Sequence, residues 1–285
     1  MEPNTIVPKK LFKVAENRPV MYDQLSAENT SYWSGVGRRF KQNKVALTGF
    51  IILLLLLFLA ILGPYFNEHG YDDQDISRAN LPPKISLLES VSWLPFDGVD
   101  TRGVDQYEQK NITTNFWFGT DELGRDIWTR VWEGTRVSLY IALLATLIDI
   151  IIGISYGSIS AYYGGRVDNI MQRIIEILIG IPQLIIIIML ILVLKPGIIT
   201  LTIAMGLAGW TGMARIVRGN MLKLKEQEFV LASRTLGAKD RRLIFRNLLP
   251  NTLGPIIITV SFSIPGAVFS EGFLSFIGLG LQPPT

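Results

Sequence analysis

Charge disappears from the chain between Val45 and Asn67, and the centre of that stretch, Phe50 to Leu59, is almost purely aliphatic and aromatic. A helix of about 20 apolar residues crosses the hydrocarbon core of a bilayer. Four further apolar runs follow: Val137 to Tyr163, interrupted only by Asp149; Ile174 to Leu194, with Glu176 near its start; Gly197 to Ala214; and Asn251 to Ser270. The pattern predicts five spans, one per run. Lys195-Pro196-Gly197 leaves room only for a tight turn between the third and fourth. Glu68 to Arg136 is polar, contains Pro82-Pro83 and Asp97-Gly98, and reads as one soluble loop. Arg215 to Asn247 is polar and helix-favouring, and Glu271 to Thr285 is apolar but rich in glycine.

Composition agrees with an all-α polytopic membrane protein. The chain is 49% hydrophobic and 18% charged, against about 25% charged in soluble domains. Without cysteine there is no disulfide framework and no thiolate metal site, and a single histidine, His69, builds no multi-histidine cluster.

Charge placement then orients the spans. Residues 1–44 carry eight Lys/Arg, and residues 215–247 carry nine against three acids. Residues 68–136 carry thirteen acids against seven bases. The Lys/Arg bias puts the N-terminus and 215–247 in the cytoplasm and 68–136 outside. The expected organisation is a cytoplasmic tail (1–44), a first transmembrane helix (45–67), an extracytoplasmic loop (68–136) and a transmembrane domain (137–285) with a cytoplasmic loop at 215–250.

That cytoplasmic loop carries a pattern. Phe229, Ala232, Ser233 and Leu236 fall at i, i+3, i+4, i+7 and make one face of a short helix. Gly237 supplies a left-handed stop. Asp240 is placed to cap a second helix that Pro250 ends. Glu228 and Ala238 complete the segment. A small-residue patch displayed this way suits insertion into a groove on a partner; the alternative is a solvated basic loop near anionic lipid.

The same loop resembles the coupling motif of binding-protein-dependent ABC importer permeases, Glu-Ala-Ala-x-x-x-Gly followed by Ile-x-Leu-Pro. Ala232, Gly237, Leu249 and Pro250 stand in that register, while Leu231, Ser233 and Asn247 depart from it. Three other segments resemble the C-type peptide permeases of this family: Phe118 to Arg130 followed by Gly134 to Leu139, Tyr162 to Asp168, and Glu271 to Pro284. The resemblance implies a type I ABC importer permease fold (MetI-like), with a sixth span expected beyond the C-terminus. It implies a multi-pass subunit of a bacterial plasma membrane importing oligopeptides by alternating access. Nickel or another small chelate is the alternative cargo, and an ion-coupled secondary transporter the alternative class. The implied partners are a homologous B-type permease, two cytoplasmic ATPases and an extracytoplasmic binding protein. ATP and Mg would be bound by the ATPases and no cofactor by this chain. Residues 226–250 would be the element that docks on an ATPase.

Other residues carry weaker signals. Asp149, an acid inside a span, reads as a hydrogen bond to another helix or as a functional charge. Gly153 and Gly157 allow close helix approach. Arg173 and Glu176 read as snorkelling interfacial charges. Gly119, Thr120, Asp121, Gly124, Arg125 and Asp126 read as a hydrogen-bonded loop at the outer face. The 68–117 loop, with Trp93, Leu94, Phe96, Tyr107 and Trp117, is either a cap that touches the binding protein or a self-packed cover. No G-x-x-x-x-G-K-[ST] and no H-E-x-x-H occurs. The one G-x-S-x-G, around Ser155, lies inside an apolar span, where a nucleophile elbow has no strand-to-helix turn. The expectation is a non-catalytic subunit.

Overall fold

The computed structural model describes residues 32–89, 91, 94–195 and 197–281. The N-terminal tail, Trp93, Pro196 and the Pro283-Pro284 end of the last signature lie outside them. The described residues fall into two compact units, divided between Leu57 and Phe58.

In the first unit, α1 (Tyr32–Gln42) carries Arg38, Arg39 and Lys41 toward its C-terminal end. Cations there complement the negative end of the helix dipole. Asn43 breaks the run and accepts from the Ala46 amide at 3.2 Å, capping the next helix. That helix, α2 (Lys44–Leu62), is the aliphatic run, with a mean hydropathy of 3.1 and nearly every side chain exposed. At about 1.5 Å per residue its 19 residues reach close to the thickness of a hydrocarbon core.

The second unit is built on α4 (Ile127–Tyr163) and α7 (Ile198–Lys225), of 37 and 28 residues. Their seam is made by glycines on both sides. A Cβ on Gly153 would sit 2.6 Å from Met213 Cβ, and one on Gly157 only 2.4 Å from the Ala214 carbonyl oxygen. Gly206 and Gly209 let α7 approach Ile148 and Asp149 in the same way. In lipid, where burying apolar surface drives little, such close approach is what holds helices together. α10 (Leu249–Phe276) packs against both long helices.

Three span boundaries differ from the sequence expectation. α4 starts ten residues before Val137, because Asp126 caps it and the polar turn from Ile127 to Arg136 is already helical. α7 continues past Ala214 to Lys225, so the first third of the supposed loop is helix. The third span is broken: α5 (Gly165–Gly180) and α6 (Gln183–Leu194) meet at 81°. Pro182 forces this, since the residue before a proline avoids the helical region and Ile181 sits extended at φ −96°, ψ 124°. Among the described residues four helices are long and apolar enough to cross a membrane, or five if the bent α5–α6 pair is one span.

Between α2 and α4 the polar loop folds on itself. Tyr107, in the one-turn α3 (Gln106–Gln109), is buried with Leu81 and Phe116, and its hydroxyl donates to the Pro82 carbonyl at 2.8 Å. Burial pushes that hydroxyl up to about 12. His69 stacks on Phe116 at 4.4 Å. Trp117, Phe118 and Trp132 surround Trp128, whose indole N–H donates to the Gly63 carbonyl at 2.8 Å. Such an aromatic girdle at a helix end is typical of a membrane–water interface.

Candidate functional site

The segment after α7 turns back on the bundle. α8 (Glu228–Thr235) is short, and its hold on the bundle is Val230, wholly buried among Ala161, Tyr162, Met213, Val217 and Met221. Leu243, Leu248 and Ile256 close the same cluster from the following helix. The residues singled out by periodicity face the other way: Phe229 is 44% exposed, Leu236 87%, and Ala232 and Glu228 are exposed as well. Val230, which does the anchoring, carries no signal in the i, i+3, i+4, i+7 pattern. It is identified only by the cluster it enters.

Gly237 ends α8 with φ +79°, a conformation that a Cβ disfavours. Its amide donates to the Arg234 carbonyl at 2.9 Å and the Ala238 amide to that of Ser233 at 3.1 Å, the paired bonds of a Schellman cap. Ala238 then folds in against the core cluster. Two of the three departures from the family pattern meet here: the Asn247 amide donates to Ser233 Oγ at 2.8 Å, and that hydroxyl donates to the Phe229 carbonyl at 2.9 Å.

Two expectations for this segment are corrected. Asp240 caps nothing. Lys239 occupies the N-cap of α9 (Asp240–Arg242), and Asp240 Oδ1 accepts from the Tyr162 hydroxyl at 2.6 Å. Pro250 ends nothing. It lies in the first turn of α10, where its missing N–H costs little, after a π-helical stretch from Leu243 to Leu248. The wider π turn gives the proline ring room beside the preceding carbonyls, so the chain continues into the membrane instead of stopping.

Beneath α8 the ends of α4, α5 and α7 are tied together. Arg218 donates through Nε and Nη2 to both oxygens of Asp168, at 2.6 and 2.5 Å. Ser160 donates to the same carboxylate. Lys225 Nζ donates to the carbonyls of Ala161 and Tyr162 at 3.2 and 2.7 Å, satisfying the open C-terminal end of α4. Tyr162 is thus held from below by Lys225 and reaches Asp240 above it. Sequence reading placed Tyr162 and Asp168 in a signature but missed these partners, since Arg218 and Lys225 look like loop charges until α7 is known to run through them.

At the other end of the bundle the six signature residues form one knot. Gly119 and Gly124 take φ +75° and +74°, and a Cβ on either would strike the Leu81 or Asp75 carbonyl oxygen, at 2.2 and 1.8 Å. Thr120 Oγ1 accepts from the Leu81 amide at 2.9 Å and donates to the Arg78 carbonyl. Asp121 accepts from the amides of Leu123 and Arg125 and from the Arg125 guanidinium at 2.7 Å. Burial pushes its carboxyl up, but these donors outweigh it and hold the group below the ordinary carboxylate value. Asp126 caps α4 through the Thr129 amide at 2.9 Å and accepts from Asn67 at 2.6 Å.

Asp149 faces Gly209 on α7, and its buried Oδ1 has no hydrogen-bond partner among the described residues. Arg173 and Glu176 pair with each other at 2.8 Å and stay exposed. Ser155 sits in mid-helix.

Residues 137–285 match the family model described as the binding-protein-dependent transport system inner membrane component. Residues 31–83 match the N-terminal TM domain of oligopeptide transport permease C. The chain belongs to this family of membrane transport permeases. It is 42% identical over 99% of its length to the dipeptide transport system permease protein DppC of Bacillus subtilis, covering 79% of that protein. It is 40% identical over 98% of its length to the oligopeptide transport system permease protein OppC of the same organism, covering 82% of it. Against DppC of Lactococcus lactis the identity is 40% over 92% of the chain and 79% of the relative. Among solved structures, the MetNI methionine ABC transporter in an inward-facing form matches 53% of this chain and 75% of its own, at 16% identity and a TM-score of 0.48.

Proposed function

We propose that this chain is one of the two membrane subunits of an ATP-driven importer that carries peptides across a bacterial plasma membrane. The observation that carries this reading is α8: one edge is fixed in the bundle core by Val230, and the opposite face offers Phe229, Ala232 and Leu236 to a partner. A short helix with an exposed small and apolar face inserts into a groove. Its own chain has no phosphate-cradling loop, so ATP and Mg belong to separate ATPase subunits, and this subunit binds no cofactor.

Lys225 and Tyr162 tie the ends of α4 and α7 together beside α8, and the segment 215–247 carries nine Lys/Arg against three acids. The positive-inside rule makes that end cytoplasmic, together with the N-terminal tail. The loop from 68 onward is then outside, where a substrate-binding protein docks. A homologous permease completes the path. When ATP closes the ATPase pair, a push on α8 passes through Val230 into the core and through Asp240 and Tyr162 into α4. α4 and α7, locked by glycine packing, move as one body and turn the cavity outward. The peptide assignment follows the dipeptide and oligopeptide permeases that the chain resembles.

Ala232→Glu tests the docking face. It puts a charge on the exposed edge and leaves Val230 untouched. The expected result is loss of ATPase subunits on copurification, with the permease still at normal levels in the membrane. Unchanged copurification and unchanged ATP-driven uptake overturn the assignment.

A further inference from the structure

A cavity of about 430 Å³ opens between the outer end of α4, the start of α7 and the C-terminal part of α10. That volume falls within the usual range of small-molecule sites, about 300–1,000 Å³. One face of α4 lines it at helical spacing, from Arg130 and Glu133 to Ser138, and Glu271 and Ser275 line it from α10. Tyr71 of the outer loop closes one side.

Of the two carboxylates that line this cavity, one has a direct ion pair and the other has none among the described residues. Glu133 is paired with Arg136 at 3.1 Å; Arg130, which also lines the cavity, lies 3.8 Å from Asp121, a carboxylate that Arg125 already holds at 2.7 Å. Glu271 is only 7% exposed and has no cation within ion-pairing distance among the described residues. Two hydroxyls hold it in place: Ser138 Oγ donates to Oε2 at 2.6 Å and Ser275 Oγ to Oε1 at 2.8 Å. Hydroxyls orient a carboxylate but leave its charge uncompensated, and burying an unpaired charge is costly. The contrast with Asp126 sharpens the point. That buried carboxylate sits at the N-terminus of α4, where the helix dipole favours negative charge. Glu271 lies near the C-terminal end of α10, where the dipole opposes it.

We propose that this cavity is a subsite for the α-ammonium group of a transported peptide, with Glu271 as its counter-charge and Ser138 and Ser275 as the residues that aim the carboxylate. The proposal rests on the peptide-import reading above. A primary ammonium carries one charge and three donors, and it would supply the missing partner. Placed at the outer end of the bundle, the site receives the amino terminus as a peptide leaves the binding protein.

The test uses the whole complex, with partner permease, ATPases and binding protein, in proteoliposomes. Uptake of trialanine and of N-acetyl-trialanine is measured, each normalised to its separately measured affinity for the binding protein. The wild type is expected to favour the free amine roughly tenfold, in line with a charge-assisted hydrogen bond. Glu271→Gln should bring the ratio close to one with the complex intact, and Glu271→Asp should restore part of it. The same preference in wild type and Glu271→Gln overturns the proposal, as does a wild type without preference. Loss of the partner permease from the Glu271→Gln complex also overturns it, because the cation then comes from that subunit. A wild type that imports neither peptide overturns the peptide reading itself, an outcome distinct from the other three.

Discussion

Gly237 shows how much one residue sets. Its φ of +79° reverses the chain between α8 and the helix that follows, and nothing lies within 4 Å of where a side chain would stand. A substitution there is therefore a test of backbone conformation and not of space. Gly237→Val forces a β-branched residue into the left-handed region, at a cost of about 1–3 kcal/mol. The expected outcome is weaker ATPase association and slower uptake at an unchanged level of permease in the membrane. Gly237→Asn, which tolerates that conformation better, should keep most of the activity. The pairing of Ser233 with Asn247 makes a second prediction at this scale. Each alanine variant should raise the opening of α8 by about 1 kcal/mol, roughly fivefold, and the double variant should cost less than the sum. Hydrogen exchange of the α8 amides measures all three. Strict additivity would show that Ser233 and Asn247 do not support each other. Asp121 gives a pH dependence. Its folded pKa lies below the unfolded value of about 3.9, so its contribution is present above that value and is lost as pH falls through the folded pKa. Tryptophan fluorescence from Trp117 and Trp128, which pack edge to face at 4.8 Å beside the knot, should change on acidification below about pH 4. In Asp121→Asn that acid transition should be smaller, the remainder coming from Asp75, Asp100 and Asp105, whose carboxyls are also held low.

At the scale of elements, the sequence was readable wherever desolvation alone decides. The aliphatic run of α2 and the apolar centres of α4, α7 and α10 stand out because a bilayer selects them by transfer free energy. Their ends were not readable, because charged turns are as helical as apolar ones once the backbone is already wound. Arg218 and Lys225 belong to α7 for that reason, although they look like loop residues. The elbow at Pro182 was available in principle, as a proline inside an otherwise unbroken apolar run. Hydropathy does not see it, because proline changes the backbone path and not the polarity. The π stretch before Pro250 is the converse case. Sequence logic takes proline as a stop, and the wider turn carries the chain past it. In the candidate site, the outward residues of α8 were legible through their spacing. Val230 was not, since one buried residue on a two-turn helix makes no period.

The molecule as a whole joins two ends. At one, the Asp121–Arg125 knot and the capping of α4 by Asp126 fix the polar loop to the start of the long helix. At the other, Tyr162, Asp168, Arg218 and Lys225 bind the ends of α4, α5 and α7 into a platform under α8. Between them, glycines on α4 and α7 leave little freedom for the two helices to slide. In the proposed import cycle, a push on α8 is carried along these two helices to the end that holds the Asp121–Arg125 knot. The central claim is that transport is driven by ATP hydrolysis in docked partner subunits and not by an ion gradient. The most direct measurement is uptake of a labelled peptide by the reconstituted complex, with ATP present or depleted and with or without a protonophore. Uptake is expected to stop when ATP is removed and to continue when the protonophore collapses the proton gradient. Uptake that survives ATP depletion and is abolished by the protonophore would contradict that claim.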